Sequence, residues 1–165
     1  MKKLNLLLLN SDGTDSSSVA DPLSTPTSDI DISRDVATAA NYEMTIKEAK
    51  LVDKKDDPTR KNLVITLKST KETRSTKGSI MAPGALTLSK YYPTAATEKM
   101  DIRKVAQGFA RLAKGVGLSG GVTPKGIIDN PSILVGKTAI WKVAIKQETS
   151  EFPEGNEIKD VVIPD

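Results

Sequence analysis

The chain has 165 residues and contains neither cysteine nor histidine, which excludes disulfides, thiolate nucleophiles, imidazole metal sites and histidine-assisted triads. Its 24 cationic and 21 anionic side chains give a net charge of +3, but the signs are segregated. Residues 1–41 carry −3, residues 42–147 carry +11 and residues 148–165 carry −5, so the basic body points either to a polyanionic partner or to a lysine-rich soluble surface.

The length suits one domain with a modest core, expected over 42–165, preceded by an acidic low-complexity arm over 1–41. Met1-Lys2-Lys3 is followed by an apolar cluster, Leu4 to Leu9, interrupted by Asn5. That run is shorter than the roughly 7–15 residues of an export signal. Nothing approaches the roughly 18 apolar residues of a membrane span. A cytoplasmic protein without a membrane partner is the expectation. Residues 10–29 are mostly Ser, Thr, Asp and Pro and cannot offset their own ordering entropy. The leucine cluster ahead of them is expected to dock on a partner, the body or a neighbouring subunit, giving a homo-oligomer through the arm.

Residues 42–52 (YEMTIKEAKLV) alternate, placing Tyr42, Met44 and Ile46 on one face of a strand. A polar loop, 53–62, is expected next, and then a second strand, 63–70, with Leu63, Ile65 and Leu67 inward. A third apolar run, Ile80 to Leu88, is broken by Pro83-Gly84, which implies a turn or bulge. Tyr91-Tyr92-Pro93 closes this region. Over 98–114 the stripe Ile102, Val105, Phe109, Leu112, Val116 predicts an amphipathic helix, with Thr97 as N-cap and Gly115 and Gly117 as its stop. Gly108 inside it suggests close packing. Residues 115–136 are expected to be irregular. Residues 137–147, with Ala139, Trp141, Val143 and Ile145 on one face, and Ile158 to Ile163 read as a final hairpin. Five short strands with a helix between the third and fourth predict a mostly β domain, an OB-like five-stranded barrel. An open α+β sheet with one packed helix has the same element order.

No catalytic constellation is present, and no enzyme activity or cofactor is implied. The glycines at 115, 117 and 120 have GxGxxG spacing but follow a helix rather than a strand, so they read as a loop. Asp53, Asp56 and Asp57 match no calcium-loop spacing and read as surface solvation. Two basic clusters carry more. Lys54, Lys55, Arg60 and Lys61 belong to the first hairpin loop, and Lys68, Lys71, Arg74 and Lys77 follow the second strand. Both mix cations with Ser, Thr or Asn, the groups that contact phosphates. Lys90, Tyr91, Tyr92 and Trp141 are the candidate stacking and flanking groups for unpaired bases, although Trp141 on an apolar face also suits the core. The helix cations Lys99, Arg103, Lys104, Arg111 and Lys114 are set aside as a solvated helix face.

The stretch from Tyr42 to Ile163 resembles bacteriophage single-stranded-DNA-binding proteins with OB-folds. The matching features are the tyrosine-containing first strand, the segment LVITLKSTKETRSTKG, the Pro-Gly of IMAPGALTL, an amphipathic helix and the strand VGKTAIWKV. The resemblance implies a DNA-coating accessory of phage replication or recombination, acting with other proteins of those processes. One departure concerns the acids. Glu148, Glu151, Glu154 and Glu157 fall within the last hairpin rather than on a free tail. The competing expectation is a structural or virion-assembly protein that reaches a neighbouring subunit with its N-terminal arm.

Overall fold

In the computed structural model, strands β1 (Ala40–Lys54) and β2 (Asp57–Ser69) pair antiparallel as one long hairpin. The model describes residues 22–29 and 35–165, which divide into a unit ending at Ser33 and a unit from Arg34 to Asp165. In the first, Pro22–Ser24 and Thr27–Asp29 form short 3-10 turns. The Leu4–Leu9 cluster lies outside the described residues.

The hairpin corrects the expected loop over 53–62. Lys54 pairs with Asp57 and Asp53 with Lys61, so only Lys55 and Asp56 form the turn. Pro58, Thr59 and Arg60 bulge out of the ladder. A proline, which has no N–H to donate, is tolerated at such a place. A second bulge lies at Lys47, between the pairs Ile46–Leu67 and Glu48–Thr66. The inserted residue reverses the alternation. Met44 and Ile46 are buried before it, and Ala49 and Leu51 pack on the core after it.

The apolar run from Ile80 splits. Strands β3 (Thr73–Arg74) and β4 (Ile80–Met81) form a small separate ribbon, and β5 (Thr87–Pro93) pairs with β2. Helix α1 (Ile102–Gly115) begins later than expected, and its N-cap is Asp101, whose carboxylate accepts from the Lys104 N–H at 2.9 Å. Thr97 instead closes the preceding turn, accepting from Lys99 and Met100. Val105, Phe109 and Leu112 are buried as the stripe predicted, whereas Ile102 is exposed. Gly117, at φ +78°, ends the helix, with the Leu118 N–H returning to the Ala113 carbonyl.

The span 115–136 is more regular than expected. Helix α2 (Pro124–Asp129) starts on a Thr123 cap, a 3-10 turn follows at Pro131–Leu134, and Ile127 and Leu134 are buried. Strands β6 (Thr138–Lys146) and β7 (Gly155–Val161) make the last hairpin. The Asn156 side chain clamps the segment before β1, accepting from the Ala37 N–H and donating to its carbonyl.

The result is a mostly β domain around a five-stranded antiparallel sheet of order β5-β2-β1-β6-β7. No backbone ladder joins the two edges, β5 and β7, so ladder closure into a barrel is not observed. The edges nevertheless approach: Lys90 Nζ donates to the Lys159 carbonyl at 3.3 Å, and α1 packs against both strands. The core lies between the inner sheet face and α1, from Met44, Ile46, Leu63, Ile65 and Leu67 to Phe109, Leu112 and Trp141.

Candidate nucleic-acid interface

The outer face of β1, β2 and β5 is set by strand register. Residues paired across neighbouring strands share a face, so the burial of Leu63, Ile65 and Leu67 turns Asn62, Val64, Thr66 and Lys68 outward. Val64 pairs with Lys50 on one side and Tyr91 on the other. The next rows are Val52, Asn62 and Pro93, then Glu48, Thr66 and Ser89, then Thr45, Lys68 and Thr87.

Tyr91 is the centre of this surface. It is 60% exposed, while Val64 beneath the row is only 8% exposed. A shallow cleft of about 350 Å³ opens beside the ring, lined by Val52, Val64, Asn62, Tyr91 and the hairpin end from Asp53 to Asp56. Lys54, Lys55 and Lys68 have no carboxylate within ion-pair distance among the described residues. Lys50 lies 3.4 Å from Glu48, with both side chains more than half exposed. Such a contact is weak and readily exchanged for a phosphate. Hydroxyls of Thr45, Thr66, Thr87 and Ser89 share the same face.

Some of the expected cations are already engaged. Lys61 Nζ contacts Asp53 at 2.5 Å, Arg60 contacts Asp57 at 3.3 Å, and Lys71 lies 3.8 Å from Glu43. The Asp57 carboxyl is held below its usual range, first by the Thr59 hydroxyl donating to it at 2.6 Å and further by Arg60 and Lys54. The hairpin aspartates therefore act as partners for these cations. Arg74 donates to the Gly78 carbonyl and lines a different cleft with Tyr42 and Glu72. Lys77 sits in the turn joining β3 to β4. Neither lies in the Tyr91 rows.

Three expected contact residues are corrected. Trp141 is fully buried and offers no face to a base. Tyr92, at 7% exposure, packs on Phe109 with ring centroids 5.9 Å apart, because its neighbour Tyr91 takes the outer face. Burial pushes the Tyr92 hydroxyl far up from the usual tyrosine range, with the Asp160 charge adding to the shift. Lys90 shares the inner side with Tyr92. Its Nζ lies 5.8 Å from the Tyr92 ring centroid and bonds across to β7, so it spans the sheet edges rather than flanking Tyr91.

Sequence reasoning missed Lys50, Val52 and Val64. The signal was present: after Ile46 the apolar residues move to Ala49 and Leu51, the mark of an inserted residue. A larger cleft, about 710 Å³, is lined by Ile80, Met81, Leu86, Leu88 and Phe152 with a single cation, Lys146. That lining does not suit a polyanion.

Comparison with known proteins returned no matching family model and no curated protein of similar sequence. Among the described residues, no group of ligating side chains is placed to hold a metal ion, and no helix is long and apolar enough to cross a membrane.

Proposed function

We propose that this protein binds single-stranded DNA without sequence preference, using the outer face of β1, β2 and β5. The observation that carries the reading is the exposed Tyr91 ring, in one row with Val64 and Lys50 and beside Val52 of the next row, with Lys54 and Lys55 at the hairpin end and Lys68 further along the same face. An aromatic ring takes any base, because every base has a π-face, and lysines and hydroxyls take the phosphates. Bases must be unpaired to reach a ring lying on a sheet, which favours single strands over duplex.

The strand order supports reading the domain as a partly open OB-like barrel. Its seam runs between β5 and β7, and its second and third sheet strands, β2 and β5, carry the binding face as in that fold. In a cell such a protein would protect exposed strands, as in phage replication or recombination, and would work beside other proteins of those processes in the cytoplasm.

The test is a titration of labelled oligothymidine at two salt concentrations, with a duplex and a ribo-oligonucleotide of equal length as comparators. Binding in the micromolar range at low salt that weakens steeply with added salt is expected. No binding to the single strand at low salt, or tighter binding to duplex, would overturn the proposal.

A further inference from the structure

The turn between β6 and β7 presents an aromatic side chain to solvent in a fixed geometry. Phe152 is 62% exposed. The turn is closed by Thr149, whose hydroxyl accepts from the backbone N–H groups of Glu151 at 3.3 Å and Phe152 at 3.1 Å. The Thr149 N–H in turn donates to the Phe152 carbonyl at 2.8 Å. Glu148, Glu151 and Glu154 belong to the same exposed loop, and none has a cation within ion-pair distance among the described residues. An exposed phenylalanine among unpaired carboxylates calls for a partner surface that is apolar at its centre and basic at its rim.

This chain carries such a surface. Gln107, Ala110, Arg111 and Lys114 of α1, with Ile163, line a shallow groove of about 360 Å³. Ala110 and Ile163 supply its apolar part. Arg111 is anchored to Asp160 at 2.7 Å, while Lys114 has no carboxylate within ion-pair distance among the described residues. We propose that Phe152 of one copy seats in this groove on a second copy, with Glu148, Glu151 and Glu154 facing Lys114 and Arg111.

The contact must run between copies. The turn precedes Gly155 and Ile163 follows Val161, so the seven residues of β7, roughly 23 Å of extended chain, hold the two surfaces apart. Because the surfaces differ, the contact is heterologous and leaves a free turn at one end and a free groove at the other. Association therefore proceeds head-to-tail rather than closing as a symmetric pair. It requires no nucleic acid and stands apart from the Tyr91 face.

Sedimentation velocity of the full chain without DNA tests this at low salt over a concentration series. Concentration-dependent association is expected, weakened about tenfold or more by Phe152→Ala, Glu151→Lys or Lys114→Glu. All three positions are exposed, so folding should persist, and circular dichroism verifies it. Mixing the Glu151→Lys chain with the Lys114→Glu chain recreates complementary charges at every contact and should restore association. A protein that stays at the mass of one chain overturns the proposal. So does association that these variants leave unchanged, or a mixture that fails to recover.

Discussion

Replacing Tyr91 by alanine should separate stacking from charge on the proposed face. The side chain is 60% exposed, so truncation removes little buried area and should alter folding stability by no more than about 0.5 kcal/mol. It is the single exposed aromatic in the rows built from β1, β2 and β5, so no neighbouring ring can take over its base. The full stacking contribution of about 1–3 kcal/mol is then lost, a weakening of roughly 5- to 150-fold in Kd. The variant removes no charge, so the slope of log affinity against log salt should match that of the parent chain. Lys68→Ala or Lys55→Ala should behave oppositely, each lowering that slope by about 0.7 for a single strand through one lost phosphate contact. Fluorescence anisotropy of labelled oligothymidine over a salt series measures both quantities. The reasoning fails if Tyr91→Ala binds within about twofold of the parent, or if its salt slope shifts as much as those of the lysine variants.

Gly115→Ala should destabilise the domain although alanine normally favours a helix. The added Cβ would collide with both methyl groups of Val161, an overpacking cost of about 1–3 kcal/mol readable by thermal unfolding, and Val161→Ala in the same chain should recover part of it. Tyr92→Phe should stabilise by about 1 kcal/mol, because the Tyr92 hydroxyl is buried without a partner among the described residues. Its raised value means that the folded state keeps a proton the unfolded chain releases. Stability should therefore fall as pH rises past the unfolded value near 10, and the gap between Tyr92→Phe and the parent in urea unfolding should widen above that pH. Deleting Lys47 should straighten β1 without changing which side chains face the core, since Ile46, Glu48 and Ala49 then alternate regularly against Leu67, Thr66 and Ile65. The lost bend and the weakened Ile46 hydrogen bonds to Lys137 and Gly136 should cost about 1–3 kcal/mol. Lys47→Ala keeps the residue count and should change stability by no more than about 0.5 kcal/mol, a contrast that thermal unfolding resolves.

The elements that were readable from the sequence are those whose apolar period is unbroken. Leu63, Ile65 and Leu67 in β2, Ala139, Trp141 and Val143 in β6, and Val105, Phe109 and Leu112 in α1 all lie where simple alternation or helical spacing puts them. What was missed depends on hydrogen bonds rather than on period. The cluster from Asp53 to Asn62 reads as a loop because it is charged throughout. It is nevertheless mostly strand, since its residues sit on an exposed hairpin that needs no apolar face, and Pro58 falls in a bulge. Helix α2 hides in a glycine-rich stretch, and its signature is the Thr123-Pro124 pair at its start, where the threonine hydroxyl accepts from the Gly126 N–H at 3.0 Å. Counting cations was a poorer guide to the candidate site. Lys61, Arg60 and Lys71 look free in the sequence, but the fold brings Asp53, Asp57 and Glu43 to them.

The composition of the proposed binding face follows from one inserted residue. Up to Ile46, the even-numbered side chains of β1 point inward, and a regular strand would continue by sending Glu48, Lys50 and Val52 into the core. At that point Ile46 exchanges both of its backbone hydrogen bonds with the segment leading into β6, its N–H donating to the Lys137 carbonyl and its carbonyl accepting from the Gly136 N–H, each at 2.8 Å. Gly136 adopts φ +87° there, a conformation that costs a glycine little. Lys47 is left outside the β1–β2 ladder, and the phase of the strand changes. Lys50 and Val52 then share the outer face with Val64 and Tyr91, while Ala49 and Leu51 fill the core positions below. A bulge that bends the sheet also brings a cation and an aliphatic group to the exposed tyrosine, so the curvature of the fold and the chemistry of its proposed site have one cause.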